Sequence, residues 1–350
     1  MPTLSYDEFI QNYKVTKVSN NSGNGKEPLI AVDKQGIIHF VWKDSLNPND
    51  AMNYFHRILK PDGTWSQAQN ISKEFSSPLG LKLILNPDKK VCAFFHGAFA
   101  PWDLTCFDGE IASQPYIFLQ QTYDGIYAQY TPDGEITYIY QQYINYDLHA
   151  GFDQAVMSGG KTTYLPQYLS DSNGTLHLLW IEGDKTKSIF HRFSTDGGKS
   201  WSDIQKITGN TDVLLGLETV RDASGDIYAL IDTSSQGRLL AKWSANTGWQ
   251  LTTISVMPPN NRYKDMTIDN KGLIHIVWDS REGVKYTHQI DGKTWSNPII
   301  LPIKYDDLYS DLNQGHEPLK IAVDLKDQVH LVWWVANNYK NEIFHLTIPQ

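Results

Sequence analysis

The hydrophobic residues of this chain recur in a short pattern that is typical of β-strands and that repeats along the sequence. The pattern is an apolar strand, an Asp, a few polar residues that usually include Gly, and a second apolar strand ending in Trp. Strands joined by such a short turn predict a β-hairpin. The clearest copies are LIAVDKQGIIHFVW (29–42), QYLSDSNGTLHLLW (167–180), MTIDNKGLIHIVW (266–278) and KIAVDLKDQVHLVW (320–333).

Weaker copies at 83–95, 128–140 and 219–231 bring the number of hairpin units to seven. Several units continue into a third apolar segment and a fourth one that opens with Trp-Ser or Gly-Trp. Four antiparallel strands repeated seven times predict an all-β protein, a seven-bladed β-propeller that occupies residues 1–350 as a single domain. The last unit lacks a fourth strand, so we expect residues 13–19 to complete it and close the fold.

The segment STDGGKSW (194–201) resembles the Asp-box of the sialidase-like, or BNR-repeat, β-propeller superfamily, because it fits the pattern S-x-D-x-G-x-[ST]-W. Degenerate copies occur at 61–65 and 290–295. The resemblance implies a propeller in which these turns lie on the face away from the usual site. It does not imply sialidase activity, because one fold hosts many functions.

Some residue types recur at one place in the repeat, and we interpret these columns as scaffold. Histidines that recur in the second strand would lie in different blades, too far apart to bind one metal ion, so we expect them to pack and hydrogen-bond between blades. We expect the recurring Trp residues to be core and the arginines to be scaffold. The columns comprise His39, Cys92, Thr137, His177, Tyr228, His275 and His330; Trp42, Trp180, Trp278 and Trp333; and Arg57 and Arg192.

One position beyond the Trp column, the residue type differs from unit to unit, which favours a single asymmetric central pocket. The residues of that column are Lys43, His96, Gln141, Ile181, Asp232, Asp279 and Trp334. We expect the loops on the same face to contribute further groups, since functional residues concentrate on loops held by a scaffold. These are Glu27, Trp102, Tyr143, Tyr146, His149, Glu182, Glu218, Arg262, Tyr263, Asp265, Arg281, His316 and Glu317.

We therefore predict a carbohydrate-active protein that cleaves a glycosidic bond by acid/base chemistry. The predicted catalytic residues are His96, Glu218, Asp232, Asp265, Asp279 and Arg281. The predicted substrate-binding residues are Glu27, Lys43, Trp102, Gln141, Tyr143, His149, Arg262 and Trp334.

Two kinds of cleavage fit these residue types. A lyase needs a base such as His96, Tyr143 or His149, with Arg262 or Arg281 to neutralise a uronate carboxyl group. A glycosidase needs two carboxyl groups about 5 to 9.5 Å apart, which the Asp and Glu residues of the set could supply. A typical sialidase is disfavoured, because no Arg-Ile-Pro motif occurs and only Arg238, Arg262 and Arg281 could reach the site.

Three alternatives to a glycoside-cleaving enzyme stay open. A non-catalytic lectin is the main one, although lectin propellers generally repeat their site in each blade. An intracellular enzyme acting on a small non-sugar molecule in the central pocket is the second. A purely structural interaction propeller is the third, and it predicts an apolar patch where the loops are mostly polar.

The net charge of the chain limits the kinds of partner that it is expected to bind. The 30 basic and 39 acidic residues give a net charge of −9, which disfavours binding to nucleic acid or an anionic membrane. No cofactor is implied, although loop carboxylates could hold Ca²⁺, and we expect a monomer or simple homo-oligomer.

The N-terminal segment lacks the pattern of a signal peptide, so we expect a soluble protein, cytoplasmic as written or secreted if a signal was removed. We interpret Cys92 and Cys106 as buried thiols, with a cross-strand disulfide as the alternative.

Overall fold

The protein is described here by a computed structural model that covers most of the chain. The described residues are 13–19, 24–45, 52–72, 78–97, 102–114, 116–119, 125–131, 133–141, 148–150, 154–157, 163–183, 186–208, 213–234, 237–258, 263–301, 303, 319–337 and 340–348.

Within these ranges the chain is all-β, with 29 strands and no helix. Accordingly, no described helix could span a membrane. The strands are β1 Thr16–Lys17, β2 Lys26–Val32, β3 Ile38–Asp44, β4 Asn53–Leu59, β5 Gln69–Asn70, β6 Pro78–Leu85, β7 Val91–Gly97, β8 Trp102–Asp108, β9 Ile111–Ala112, β10 Tyr116–Leu119, β11 Gly125–Tyr130, β12 Ile136–Gln141, β13 Leu148–Ala150, β14 Gln154–Met157, β15 Thr163–Ser170, β16 Leu176–Glu182, β17 Ser188–Ser194, β18 Gln205–Lys206, β19 Val213–Arg221, β20 Ile227–Thr233, β21 Arg238–Ser244, β22 Gly248–Thr253, β23 Lys264–Ile268, β24 Ile274–Ser280, β25 Gly283–His288, β26 Ile299–Leu301, β27 Leu319–Val323, β28 Val329–Asn337 and β29 Lys340–Ile348.

The strands form antiparallel sheets of the kind that make up the blades of a β-propeller. Among the described residues six sheets have four strands, and the sheet β6–β10 has five because β9 and β10 both pair with β8. The chain divides into two compact units. Unit 1 comprises Met1–Thr122 and Asn261–Gln350 and contains β1–β10 and β23–β29, whereas unit 2 comprises Tyr123–Asn260 and contains β11–β22.

Five of the predicted hairpin turns are stabilised by an Asp side chain that accepts hydrogen bonds from backbone amides of the turn, and in the β6–β7 turn Asn86 accepts such a bond from the amide of Lys90 (2.8 Å). In the β2–β3 turn, Asp33 Oδ1 accepts hydrogen bonds from the amides of Gln35 (2.9 Å) and Ile37 (2.8 Å). Gly36 lies at a φ of 78°, a conformation that favours glycine. The same Asp-to-amide contacts recur at Asp171, Asp222, Asp269 and Asp324.

The recurring tryptophans are core residues, as predicted. Trp42, Trp180 and Trp278 are 0% exposed and Trp333 is 1% exposed. Within unit 1, β23–β26 packs on β27–β29, that sheet packs on β2–β5, and β2–β5 packs on β6–β10. Within unit 2, each sheet likewise packs on the next one along the chain.

The N-terminal segment supplies the fourth strand of the last sheet, as predicted. Thr16 pairs with His345 and Lys17 with Phe344, so β1 lies at the edge of β29. Arg57 from the neighbouring sheet donates hydrogen bonds to the carbonyls of Lys17 (3.1 Å) and Val18 (2.9 Å). The scaffold role predicted for Arg57 is therefore confirmed.

The recurring histidines are hydrogen-bonded, but mainly within their own sheets, which corrects the expectation of bonds between blades. His39 Nδ1 lies 3.0 Å from His56 Nε2 on the adjacent strand. The contact with the next sheet is one of packing, since the His56 ring stacks on Phe107 at 3.8 Å. Equivalent 3.0 Å pairs join His177 to His191 and His330 to His345.

Cys92 and Cys106 form a disulfide bond, so their interpretation as buried thiols was wrong. The two residues lie directly opposite each other in the antiparallel pair β7–β8. Directly opposed side chains on one face of a sheet are close enough to bond. The spacing of 14 in the sequence does not reveal this register.

Candidate functional site

The predicted site residues concentrate where the first strand of a sheet begins and its second strand finishes. We call this the leading end of a sheet, and the Asp-capped hairpin turn lies at the other end. Register places Lys26 opposite Lys43, Gly80 opposite His96 and Lys264 opposite Trp278 at three leading ends of unit 1. Six residues predicted to lie in loops lie in strands instead, namely Glu27, Trp102, His149, Glu182, Glu218 and Asp265.

A close ion pair occupies the leading end of β2–β5. Lys43 Nζ lies 2.5 Å from Glu27 Oε2, and the two side chains are 9% and 23% exposed. Burial and the charge of Glu27 raise the pKa of Tyr54 far above its usual range. The hydroxyl of Tyr54 donates to the carbonyl oxygens of Gly80 (2.5 Å) and His96 (3.2 Å), which links this sheet to β6–β10.

His96 and Trp102 form a stacked pair at the leading end of β6–β10. Their ring centroids are 4.0 Å apart, and the residues are 6% and 2% exposed. The backbone of β6 lies directly against the two rings at Gly80. A Cβ atom at that position would lie 2.8 Å from the His96 ring and 2.9 Å from Trp102. The side of the two rings that faces Gly80 is therefore covered by the backbone of β6.

Asp265 joins the leading end of β23–β26 to that of β27–β29. Its Oδ2 accepts a hydrogen bond from the amide of Ile321 (2.7 Å), and its Oδ1 lies 3.3 Å from Lys320 Nζ. Asp279, on β24, accepts a 2.7 Å hydrogen bond from the amide of Tyr263. Each carboxylate thus accepts a hydrogen bond from a backbone amide, and Asp265 accepts its bond from the neighbouring sheet.

Trp334 lies on β28, opposite Ile343. Its indole is 3% exposed, and Lys26 Nζ lies 5.8 Å from the ring centroid, within the range of a cation–π contact. The indole N–H groups of Trp334 and Trp102 are buried and have no hydrogen-bond partner among the described residues. Buried donors without a partner are uncommon in native proteins and call for an explanation.

In unit 2, the predicted residues are held by neighbours in their own sheets. Asp232 forms an ion pair with the fully buried Arg238 at the leading end of β19–β22. Glu182 accepts a 3.1 Å hydrogen bond from the indole of Trp180. Glu218 lies half-buried within β19 opposite Leu230, away from the leading end.

The remaining predicted residues are only partly covered by the described structure. Arg281 is exposed in the turn between β24 and β25. Gln141 lies in β12 and His149 lies in β13, and the structure describes only the backbone of these two residues. Outside the described residues lie Tyr143, Tyr146, Arg262, His316 and Glu317.

Sequence reasoning missed the basic partners of the predicted carboxylates. Lys320 was not singled out, because lysine is common on any polar surface, and Arg238 was noted as an arginine that could reach the site but not as the partner of Asp232. A usable signal existed for Lys320, since it lies at the start of a predicted first strand. Among the described residues, no group of three or more His, Cys, Asp or Glu side chains is arranged to hold a metal ion.

The turn that follows β17 lies at the end of its sheet opposite the leading end. Ser194 Oγ donates to Asp196 Oδ1 (2.8 Å), and the amide of Gly198 donates to Ser194 Oγ (2.8 Å). Asp196 also accepts hydrogen bonds from the amide (2.9 Å) and hydroxyl (2.6 Å) of Ser200, and these bonds lower its pKa to about 2. The residues of the motif thus stabilise the turn.

Comparison with solved structures places the fold among β-propellers. The BP39L lectin from Burkholderia pseudomallei superposes with a TM-score of 0.65 at 8% identity, covering 93% of this chain and 96% of the lectin. A protein of unknown function from Dyadobacter fermentans gives 0.52 at 13% identity, covering 95% and 98%. A Trypanosoma rangeli sialidase mutant displaying trans-sialidase activity gives 0.50 at 12% identity, covering 95% of this chain but only 59% of the sialidase.

These neighbours show that the fold is that of a β-propeller. At such low identities the likeness is one of fold. No family model and no curated protein matches the sequence.

Proposed function

We propose that this protein is a carbohydrate-binding β-propeller whose site lies at the leading ends of the sheets in unit 1. The observation that carries the proposal is the pair of partly exposed ion pairs there, Glu27 with Lys43 and Asp265 with Lys320. Carboxylate and ammonium groups form strong, charge-assisted hydrogen bonds, and sugar hydroxyl groups can both donate and accept them. The occurrence of a lectin among the structural neighbours supports the same class of ligand.

We also propose that the seven hairpin units are seven blades of one domain, as the sequence repeat predicts. β9 and β10 pair with successive parts of β8, so together they take the place of one fourth strand. On this interpretation the sheet with five strands is a blade whose last strand is interrupted. The motif at 194–201 would then be a true Asp-box of the superfamily.

Cleavage of a glycosidic bond is the second candidate, and one observation favours it. Asp279 hydrogen-bonds to Tyr263, and Asp265 lies two residues further along β23, so the two carboxyl groups are diagonal neighbours on one face. The backbone positions of diagonal neighbours in an antiparallel pair are about 7 to 8 Å apart, within reach of their side chains. We propose that these two carboxyl groups take the roughly 6.5 to 9.5 Å spacing with which an inverting glycosidase holds a water molecule between an acid and a base.

The decisive experiment screens the purified full chain for binding to an array of neutral and acidic oligosaccharides. The affinity of each glycan that binds is then measured by titration calorimetry for wild type and for Lys320→Met. The variant Glu110→Gln serves as the control. Glu110 forms a 2.6 Å ion pair with Lys60 in which both side chains are about 40% exposed, so the control breaks a similar pair away from the leading ends. We expect binding to be lost in Lys320→Met and kept in Glu110→Gln. Absence of binding to every glycan would overturn the proposal.

The same preparation tests cleavage with aryl glycosides and uronate-containing oligosaccharides. Asp279→Asn and Asp265→Asn remove one carboxylate each, and His96→Ala removes the predicted lyase base. Turnover that is lost in both Asp variants but kept in His96→Ala identifies a glycosidase. Binding without any turnover identifies a lectin.

A further inference from the structure

We propose that the leading end of β23–β26 binds a sugar that carries a carboxylate group, and that the indole N–H group of Trp278 donates a hydrogen bond to this carboxylate. The inference rests on the proposed function, because it names the class of sugar that the same site would take. The tryptophan of this column is hydrogen-bonded to a carboxylate in two other sheets, whereas Trp278 has no such partner among the described residues.

In those two sheets the chain itself supplies the carboxylate. The indole of Trp42 donates to Asp44 Oδ2 at 3.0 Å. The indole of Trp180 donates to Glu182 Oε2 at 3.1 Å. Each acceptor follows its tryptophan by two positions, so it lies on the same face of the strand and nearer the leading end. The repeat therefore directs the indole N–H group toward the leading end, where it meets a carboxylate.

Trp278 occupies the equivalent position of β24 without this acceptor. It is 0% exposed, and its buried N–H group has no hydrogen-bond partner among the described residues. Two positions further on the residue is Ser280, whose hydroxyl donates a 2.7 Å hydrogen bond to the carbonyl of Gly283. A buried donor that stays unpaired costs free energy and is uncommon. A ligand carboxylate would take the place that Asp44 and Glu182 take in the other sheets.

Two lysines flank Trp278 on the same face of the sheet. Lys264 lies directly opposite it on β23, and Lys285 lies directly opposite it on β25. In three other sheets the third-strand residue at this place is a phenylalanine that stacks on the tryptophan, namely Phe55, Phe190 and Phe344. The leading end of β23–β26 thus has a hydroxyl group in place of the acid and an ammonium group in place of the ring. Cations beside an unpaired N–H donor favour an anionic ligand.

The carboxylates of β23 and β24 lie on the other face of the sheet. Asp265 follows Lys264 by one position, so its side chain projects from the opposite face, where it accepts the hydrogen bond from the amide of Ile321. The same alternation turns Asp279 away from Trp278. A ligand carboxylate on the tryptophan face is therefore not placed against either of them.

Access to the buried N–H group leads past an exposed ion pair. Lys285 Nζ lies 2.7 Å from Glu282 Oε2, and the two side chains are 24% and 64% exposed. Exposed pairs of this kind contribute little free energy. A ligand carboxylate can therefore replace Glu282 beside Lys285, and the movement of the lysine side chain uncovers the indole.

Other charged groups at the leading ends of unit 1 do not oppose an anion. Lys43 is paired with Glu27, and Lys320 is paired with Asp265. Lys26 lies opposite Lys43 and adds a further positive charge. The lysines at these ends thus compensate the carboxylates there, and we expect a carboxylated sugar to be preferred over a neutral one.

The test compares the affinities of uronate oligosaccharides and of their carboxyl-reduced counterparts, measured by titration calorimetry. Ser280→Asp supplies to Trp278 the acceptor that Asp44 supplies in β3, so it takes the place of the ligand carboxylate. Lys285→Met removes the ammonium group and keeps the aliphatic stem, and it decides the question if Ser280→Asp does not fold. Lys242→Met is the matched control, because Lys242 also lies on the third strand of its sheet and forms a 2.8 Å ion pair.

We expect wild type and Lys242→Met to bind the uronate form at least about tenfold more tightly than the reduced form, the factor that one hydrogen bond to a charged group provides. Ser280→Asp and Lys285→Met should bind the two forms about equally, and the melting temperature of Ser280→Asp should equal or exceed that of wild type. A wild type that does not prefer the uronate form, or a preference that survives in either variant, would overturn this inference alone. A wild type that binds no glycan would overturn the proposed function as well.

Discussion

Replacing His191 with Gln removes a buried titratable group and should flatten the dependence of stability on pH. The indole of Trp249 donates a 3.1 Å hydrogen bond to His191 Nδ1, so His191 Nε2 carries the proton and donates to His177 Nδ1 at 3.0 Å. Burial, together with the neighbouring His177, lowers the pKa of His191 to about 3. A Gln side chain can accept from Trp249 through its oxygen and donate to His177 through its nitrogen.

The direction of the effect follows from the two pKa values. An unfolded histidine has a pKa of about 6.5, so below that pH the unfolded chain takes up a proton that folded His191 refuses until about pH 3. The stability contributed by this residue is complete above pH 6.5 and is lost as the pH falls. Between pH 7.5 and 5.5 the loss is RT ln[(1 + 10)/(1 + 0.1)], which is RT ln 10 or about 1.4 kcal/mol.

The assay is urea unfolding of wild type and His191→Gln at pH 7.5 and 5.5. Wild type should lose about 1.4 kcal/mol more than the variant over this interval. His288→Gln is the comparison, because that imidazole is partly exposed and should produce a smaller difference. Equal losses in wild type and His191→Gln would mean that folded His191 accepts a proton near pH 6, and the reasoning would be refuted.

Three further predictions concern packing and closure of the fold. Gly80→Ala should lower the unfolding free energy measured by urea titration by about 1 to 3 kcal/mol, because its Cβ would lie 2.8 Å from the His96 ring. An unchanged unfolding free energy would show that the stacked rings of His96 and Trp102 can move aside at little energetic cost. Arg57→Leu should lower the unfolding free energy by about 2 to 3 kcal/mol and speed hydrogen exchange at the amide of Val18, which donates a 2.7 Å bond to the carbonyl of Ile343, with Lys60→Met as the surface control. Reduction of the Cys92–Cys106 disulfide, whose sequence separation is 14, should lower the unfolding free energy by about 3 kcal/mol, and a C92S/C106S variant should be insensitive to reductant.

The positions of the candidate site residues in the fold were predictable from sequence, whereas their contacts were not. The residues one position beyond the Trp column lie at the leading ends of sheets, because strand periodicity fixes where each second strand finishes. They include Lys43, His96, Asp279 and Trp334. Its partners come from other strands and other sheets, as with Asp265 and the amide of Ile321. Register between distant segments is not encoded in any local pattern.

The sequence by itself determined the hairpins, the buried tryptophans and the closing strand, because turn chemistry and apolar alternation act over a few residues. Only the tertiary structure decided that Cys92 bonds to Cys106, that Asp232 pairs with Arg238 and that Glu27 adopts a positive φ. Each of these depends on which residues are brought opposite one another when strands pair. A shift of one residue in register reverses the face of every side chain in a strand, so these contacts arise only when the sheets are assembled.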